Sequence, residues 1–259
     1  MNPTELFELI QKGESGGFIY ADEMPVARTS IESVNVEYYK RIFKMKFGIS
    51  FDTTQMDLTT SLRNQQLFAD ENLTLAGLLL FCDNRHTFKP LYSVQCIAVE
   101  AVNLLGSYFD DSEPVFQGKL EDVYYQTLNF ISRHIKKRPS GDSFNSQLKW
   151  QIPKEVFEEL VVNALVHRDY FINSTIKVFI FLDRIEIISP GKLPNSQNEQ
   201  TIRNGISIPR NPVLQSFAQY VLPYKGAGTG IMRALFIYPD IEFRNEPENE
   251  RFVAIIKRK

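Results

Sequence analysis

Lys154-Glu155-Val156-Phe157-Glu158-Glu159-Leu160-Val161-Val162-Asn163-Ala164-Leu165-Val166-His167 is the stretch on which the reading of this chain turns. Pro153 suits the first turn of a helix that runs to about His167. Apolar residues at 156, 157, 160–162 and 164–166 leave that helix apolar almost all round, so it is expected to be buried. Against this background Glu155, Glu159, Asn163 and His167 stand four apart and share one stripe. A charge is not buried cheaply without a partner, so the stripe either faces water or lines a polar cleft. A Glu four residues before an Asn sets a carboxylate beside an amide oxygen. Metal-assisted phosphate chemistry uses that pair, with Asn on Mg²⁺ and Glu on a water.

Downstream, Thr175–Phe181 and Arg184–Ile188 read as two strands joined at Leu182-Asp183. Ser189-Pro190-Gly191-Lys192-Leu193-Pro194-Asn195 reads as a loop, and Asn211–Tyr220 as a helix with Pro212 in its first turn. Gly226-Ala227-Gly228-Thr229-Gly230 precedes a helix over Ile231 to about Tyr238, and Ile241–Asn245 and Phe252–Arg258 read as closing strands. The order predicts an α+β fold: a two-layer sandwich of mostly antiparallel strands with helices on one face. The glycine loop suits close approach of backbone N–H groups to an anion, aided by the helix dipole, or else simply a tight turn. It is neither G-x-G-x-x-G nor a Walker A loop. His167-Arg168-Asp169 resembles the kinase catalytic triplet, but Ser174 stands where the kinase Asn belongs and no DFG exists. Arg168 and Asp169 are therefore expected to end the helix.

Upstream, residues 1–50 hold helix candidates at Thr4–Lys12 and Val36–Lys44. Residues 51–148 hold the apolar run Leu73–Cys82, a strand candidate Tyr92–Val99 and an amphipathic helix candidate Lys119–Lys136. Arg138–Ser143 is turn-rich and reads as a linker, giving divisions at 1–50, 51–148 and 149–259. The 259 residues carry 29 basic and 31 acidic side chains, a net charge of −2. That is not the positive bias of a domain gripping nucleic acid through its phosphates. The basic cluster Arg133–Arg138 and the tail Lys257-Arg258-Lys259 read as solvated faces or as a direct nucleic-acid contact. Leu73–Cys82 is about half the ~20 residues a membrane span needs, and the N-terminus does not read as a signal peptide. Cys82 and Cys96 then fit a reducing cytoplasm, and no cysteine or histidine spacing suggests structural zinc.

Four motifs occur in order: Glu159–Tyr170, Asp183–Pro194, Ser207-Ile208-Pro209-Arg210-Asn211-Pro212 and Gly228-Thr229-Gly230-Ile231. Together they resemble the C-terminal part of bacterial transcriptional regulators often labelled "RecG-like" or "divergent AAA". That part is similar to the GHKL (Bergerat) ATPase fold. Leu73–Phe81 and Phe116-Gln117-Gly118 match the same family's α/β connecting region, so the resemblance covers roughly residues 50–259. It implies ATP and Mg²⁺ as ligands, Glu159 as the water-activating carboxylate and Asn163 as the Mg²⁺-binding amide. It places His167, Gly191, Lys192 and Arg210 at the nucleotide, and Gly226, Gly228, Thr229 and Gly230 in the glycine box around the phosphates.

The departures from the pattern carry information too. The first glycine box of active GHKL enzymes is D-x-G-x-G, whose Asp recognises the adenine amino group; here the loop reads Ser189-Pro190-Gly191-Lys192-Leu193. Loss of a buried charge-assisted contact removes on the order of 1.5–3 kcal/mol, about ten- to a hundredfold in affinity, implying weak turnover. Thr4–Ser15 resembles the opening helix of an AlbA-like (Schlafen-type) domain, but the rest of that domain and the family's winged helix do not follow. The sequence thus expects a regulatory, nucleotide-binding protein. An active Mg-dependent GHKL-type ATPase and a direct nucleic-acid binder are the alternatives. DNA, directly or through another module, and a homo-oligomer are the expected partners.

Overall fold

The computed structural model describes residues 20–104, 109–113, 117–135, 137–139, 148–194, 197–224, 226 and 228–258. In chain order its elements are α1 (Val36–Phe47), α2 (Leu58–Asn64), β1 (Phe68–Ala69), β2 (Asn72–Leu73), α3 (Leu75–Phe81), β3 (Val94–Val99), β4 (Phe109–Glu113) and α4 (Leu120–His134). They continue with β5 (Lys137–Pro139), β6 (Leu148–Trp150), α5 (Lys154–His167), β7 (Ile176–Ile180), β8 (Arg184–Pro190), α6 (Glu199–Arg203), α7 (Pro212–Val221), α8 (Gly230–Ile237), β9 (Ile241–Glu246) and β10 (Arg251–Lys257). No described helix is long and apolar enough to cross a membrane. The helix read at Thr4–Lys12 lies outside the described residues.

Local chemistry explains most of the boundaries. Asn35 opens α1 by accepting the Tyr38 N–H at 2.9 Å, and Gly48, at φ 74°, ends it three residues beyond the expected Lys44. The apolar run proves to be helix α3, opened by the Thr74 hydroxyl, which accepts the Gly77 N–H at 3.2 Å. All seven of its residues are buried.

Among the described residues, six strands form one open sheet in the order β4-β3-β7-β8-β10-β9, antiparallel except where β3 pairs parallel to β7. Register aligns buried rows across it. One runs Cys96–Val178–Ile187–Ala254–Phe243, and the next Ala98–Ile180–Ile185–Ile256–Ile241. Alternation along each strand points these rows to one face, on which α4 packs against β3 and α5 against β8. Helices α4 and α5 also pack together, and α8 lies on α5. The opposite face carries a small cluster of Ile97, Val99 and Phe181 beside the ion pairs Arg184–Glu186 and Arg244–Glu242.

Two features lie across the division points read from the sequence. The turn-rich break at Arg138–Ser143 begins inside β5, which pairs with β6, and its remainder from 140 onward lies outside the described residues. The expected division at 148/149 falls within β6, while the β3–β7 pairing carries the sheet across it and one apolar cluster spans both sides. Parallel pairing is non-local, so nothing in the sequence spacing announces it.

Candidate nucleotide-binding cleft

The α5 helix is held at its C-terminal end by two buried polar groups. The Arg168 guanidinium donates to the Ile172 and Ser174 carbonyls and lies about 5 Å from the rings of both Tyr92 and Tyr170. Asn211, opening α7, donates to the Val166 and Arg168 carbonyls, each at 2.9 Å. Asp169 accepts from the Phe171 N–H and donates its own N–H to Pro190. The triplet His167-Arg168-Asp169 thus turns the chain out of α5 towards the sheet, as the sequence expects.

With α5 so fixed, Glu159, Asn163 and His167 line a cleft of about 1050 Å³, counted to its open mouth; Glu155, the fourth member of the stripe, is exposed. The floor is the helix-facing side of the sheet at Ile187, Ala254 and Phe243, with Phe252 stacked on Phe243 at 5.9 Å. Ser189, where the resemblance sets the adenine-reading Asp of active GHKL enzymes, lines the same floor and donates weakly to the Ala164 carbonyl at 3.5 Å. Gly191, Lys192 and Arg210 form one wall, where the Arg210 guanidinium donates to the Lys192 carbonyl at 2.7 Å. Gly226, Gly228, Thr229 and Gly230 form the facing wall at the start of α8. The ten residues to which the resemblance gives a place at the nucleotide all line this cleft.

In the α8 wall, two glycines are required by the geometry. Gly228 has φ +69°, and a Cβ there would stand 2.5 Å from the Gly205 carbonyl oxygen. At Gly230 a Cβ would stand 2.4 Å from Glu159 Oε2 and 3.4 Å from Asn163 Nδ2. The absent side chain is what lets the first turn of α8 press against the polar stripe of α5.

Each polar group in the stripe has a distinct state. Asn163 Nδ2 donates to the Glu159 carbonyl at 2.7 Å, which leaves Oδ1 as its outward acceptor. His167 Nε2 lies 3.2 Å from the Tyr224 hydroxyl, and burial, reinforced by the Arg210 charge, pulls its imidazole down to about 4. Glu159 Oε1 accepts from Arg233, one turn into α8. Arg233 and Tyr224 line the cleft but escaped the sequence reading. Arg233 stands three residues after Gly230 on the same helix, and that spacing was the only signal for it.

The arrangement fits a nucleotide. The cleft has room for one, its floor is apolar for a base, and glycine backbone, a helix N-terminus and Arg233 stand at one end for phosphates. An amide oxygen is available for a hydrated cation.

The family model described as "Putative ATP-dependent DNA helicase recG C-terminal" matches residues 173–252. An ATPase-like domain of the RecG C-terminal type is present. The match takes in the Gly191 and Gly226–Gly230 walls, whereas Glu159, Asn163 and His167 precede it. Among solved structures, the DIP2311 protein from Corynebacterium diphtheriae is similar with a TM-score of 0.67 at 18% identity. That similarity covers 100% of this chain and 51% of the other, so the present chain spans about half the length of that relative; it bears on the fold alone. No curated protein matches.

Proposed function

We propose that the cleft binds ATP with Mg²⁺ and that occupancy, rather than fast hydrolysis, is its output, within a transcriptional regulator of degenerate GHKL type. The observation that carries this reading is the convergence of the α5 stripe and the α8 glycine wall on one cleft with an apolar floor. The base rests on Ile187, Ala254 and the Phe243–Phe252 stack. Phosphates meet the backbone N–H groups around Gly228–Gly230. The Asn163 amide oxygen would hold a hydrated cation, which when bound would neutralise phosphate charge. Turnover is expected to be weak because Ser189 lacks the charge of a base-reading Asp, which lowers affinity for the base.

Calorimetry with Mg-ATP, paired with phosphate release, tests the reading. Saturable binding with turnover at or near background is expected. Absence of binding ends the nucleotide reading. Robust phosphate release that Glu159→Ala abolishes in a folded protein would establish an enzyme instead. DNA and a second copy of the chain are the partners of this reading, and the cytoplasm its location. If the chain itself grips DNA, affinity should fall steeply between about 50 and 200 mM salt.

A further inference from the structure

Glu159 is clamped from two sides by α8. One carboxylate oxygen accepts from Arg233, and the other lies against the backbone of Gly230. The two partners differ in access: the Arg233 side chain keeps 33% of its surface exposed, Glu159 only 14%. Arg233 is also placed one turn inside a helix whose N-terminus and glycine loop are the anion-attracting end of the cleft. One guanidinium is thus within reach of two competing anions, the carboxylate already present and any phosphoryl group that enters.

We propose that the Arg233–Glu159 ion pair is a phosphate-responsive latch. In the empty cleft, Arg233 neutralises Glu159 and holds α8 to α5. When a phosphoryl group reaches the α8 N-terminus, Arg233 transfers its hydrogen bonds to it and releases Glu159 Oε1 to water. Arg233 then acts as a positioning residue, setting both the affinity for the terminal phosphate and the availability of the carboxylate. A guanidinium suits the exchange because its several N–H donors pair equally well with carboxylate and phosphoryl oxygens. The inference rests on the nucleotide reading of the cleft and adds its control.

The sign of the effect on binding separates a latch from a structural ion pair. If Glu159 competes for Arg233, removing its charge should tighten anion binding even though an ion pair is lost. Titration calorimetry with Mg-ATP and with inorganic phosphate is run on the whole chain and on Glu159→Gln, Arg233→Gln, Arg233→Lys and the double Glu159→Gln/Arg233→Gln. Glu159→Gln is expected to bind about fivefold to tenfold more tightly than the unaltered protein. Arg233→Gln should bind at least tenfold more weakly, and Arg233→Lys should recover part of that loss. The gain from Glu159→Gln should disappear in the double variant. Thermal melts without ligand confirm that each variant is folded. Mg-ATP binding by the unaltered protein, with no gain in folded Glu159→Gln, overturns the latch and leaves the nucleotide reading standing. No binding of Mg-ATP by either protein overturns both.

Discussion

At the scale of single residues, Gly226 and Gly228 make a controlled comparison. Both have positive φ, at +66° and +69°, but a Cβ on Gly226 would approach nothing closer than Tyr224 Cε1 at 3.8 Å, while one on Gly228 would strike the Gly205 backbone. Gly226→Ala should therefore cost only the backbone penalty of about 1–2 kcal/mol. Gly228→Ala should cost clearly more, since a carbonyl cannot swing aside as a side chain can. Urea midpoints of the two variants measure the difference; equal losses would mean that the glycine wall does not press on Gly205. His167 gives a pH prediction. Its imidazole titrates near 6.5 when unfolded and about 4 when folded, so the native state favours the neutral form. Stability should be intact above pH 6.5 and fall as pH drops through that window, by on the order of 2 kcal/mol once partial exposure is allowed for. His167→Gln should flatten this acid limb in denaturation curves taken from pH 7 to 4. The positions 159, 163 and 167 were legible in the sequence because helix periodicity alone puts them on one stripe. Arg233 was not, because its meaning depends on which helix it faces, and that is fixed by tertiary packing.

At the scale of elements, the attachment of α7 shows how an apparently irregular stretch is used. Asp22, fully buried in the single-turn helix Ala21–Glu23, accepts the Leu214 N–H at 2.8 Å in the first turn of α7. A carboxylate there meets the positive end of the helix, yet burial outweighs this and raises Asp22 to about 6. The sign is opposite to that of His167. The group is protonated more readily when folded, so its contribution is complete below about pH 4 and is lost as pH rises through 6. Asp22→Asn keeps a carbonyl acceptor for Leu214 and removes the charge. It should raise stability by about 1–3 kcal/mol at pH 7.5 and by little at pH 4. A destabilisation of equal size at both values would show that geometry, not charge, governs this contact. Sequence periodicity found the long elements α4, α5 and α7 and the β7–β8 and β9–β10 hairpins, because their patterns repeat within one segment. It missed α6, whose five residues span too few turns for a period to register, and it saw α3 only as an apolar run.

At the scale of the molecule, the β3–β7 pairing decides how the chain behaves as a unit. Residue rows of the core run from β3 through β7, β8 and β10 to β9, and α4 and α5 pack on them side by side. The regions on either side of residue 148 therefore share one sheet and one apolar core, and neither buries its own face without the other. Urea unfolding should then be a single transition, with Trp150 fluorescence and far-ultraviolet circular dichroism giving coincident midpoints. A chain reduced to residues 149–259 would leave β7 as an edge strand carrying unpaired backbone groups where β3 had been, and would uncover Ile176, Val178 and Ile180 where α4 packs nearby. Such an edge is a template for intermolecular pairing, so this fragment should aggregate or unfold with a shallower urea dependence than the whole chain. Were the fragment instead monomeric and as cooperative as the parent, the strands from residues 94–113 would be an appendage to the ATPase-like domain. The cleft would then owe nothing to the parallel pairing that spans the chain.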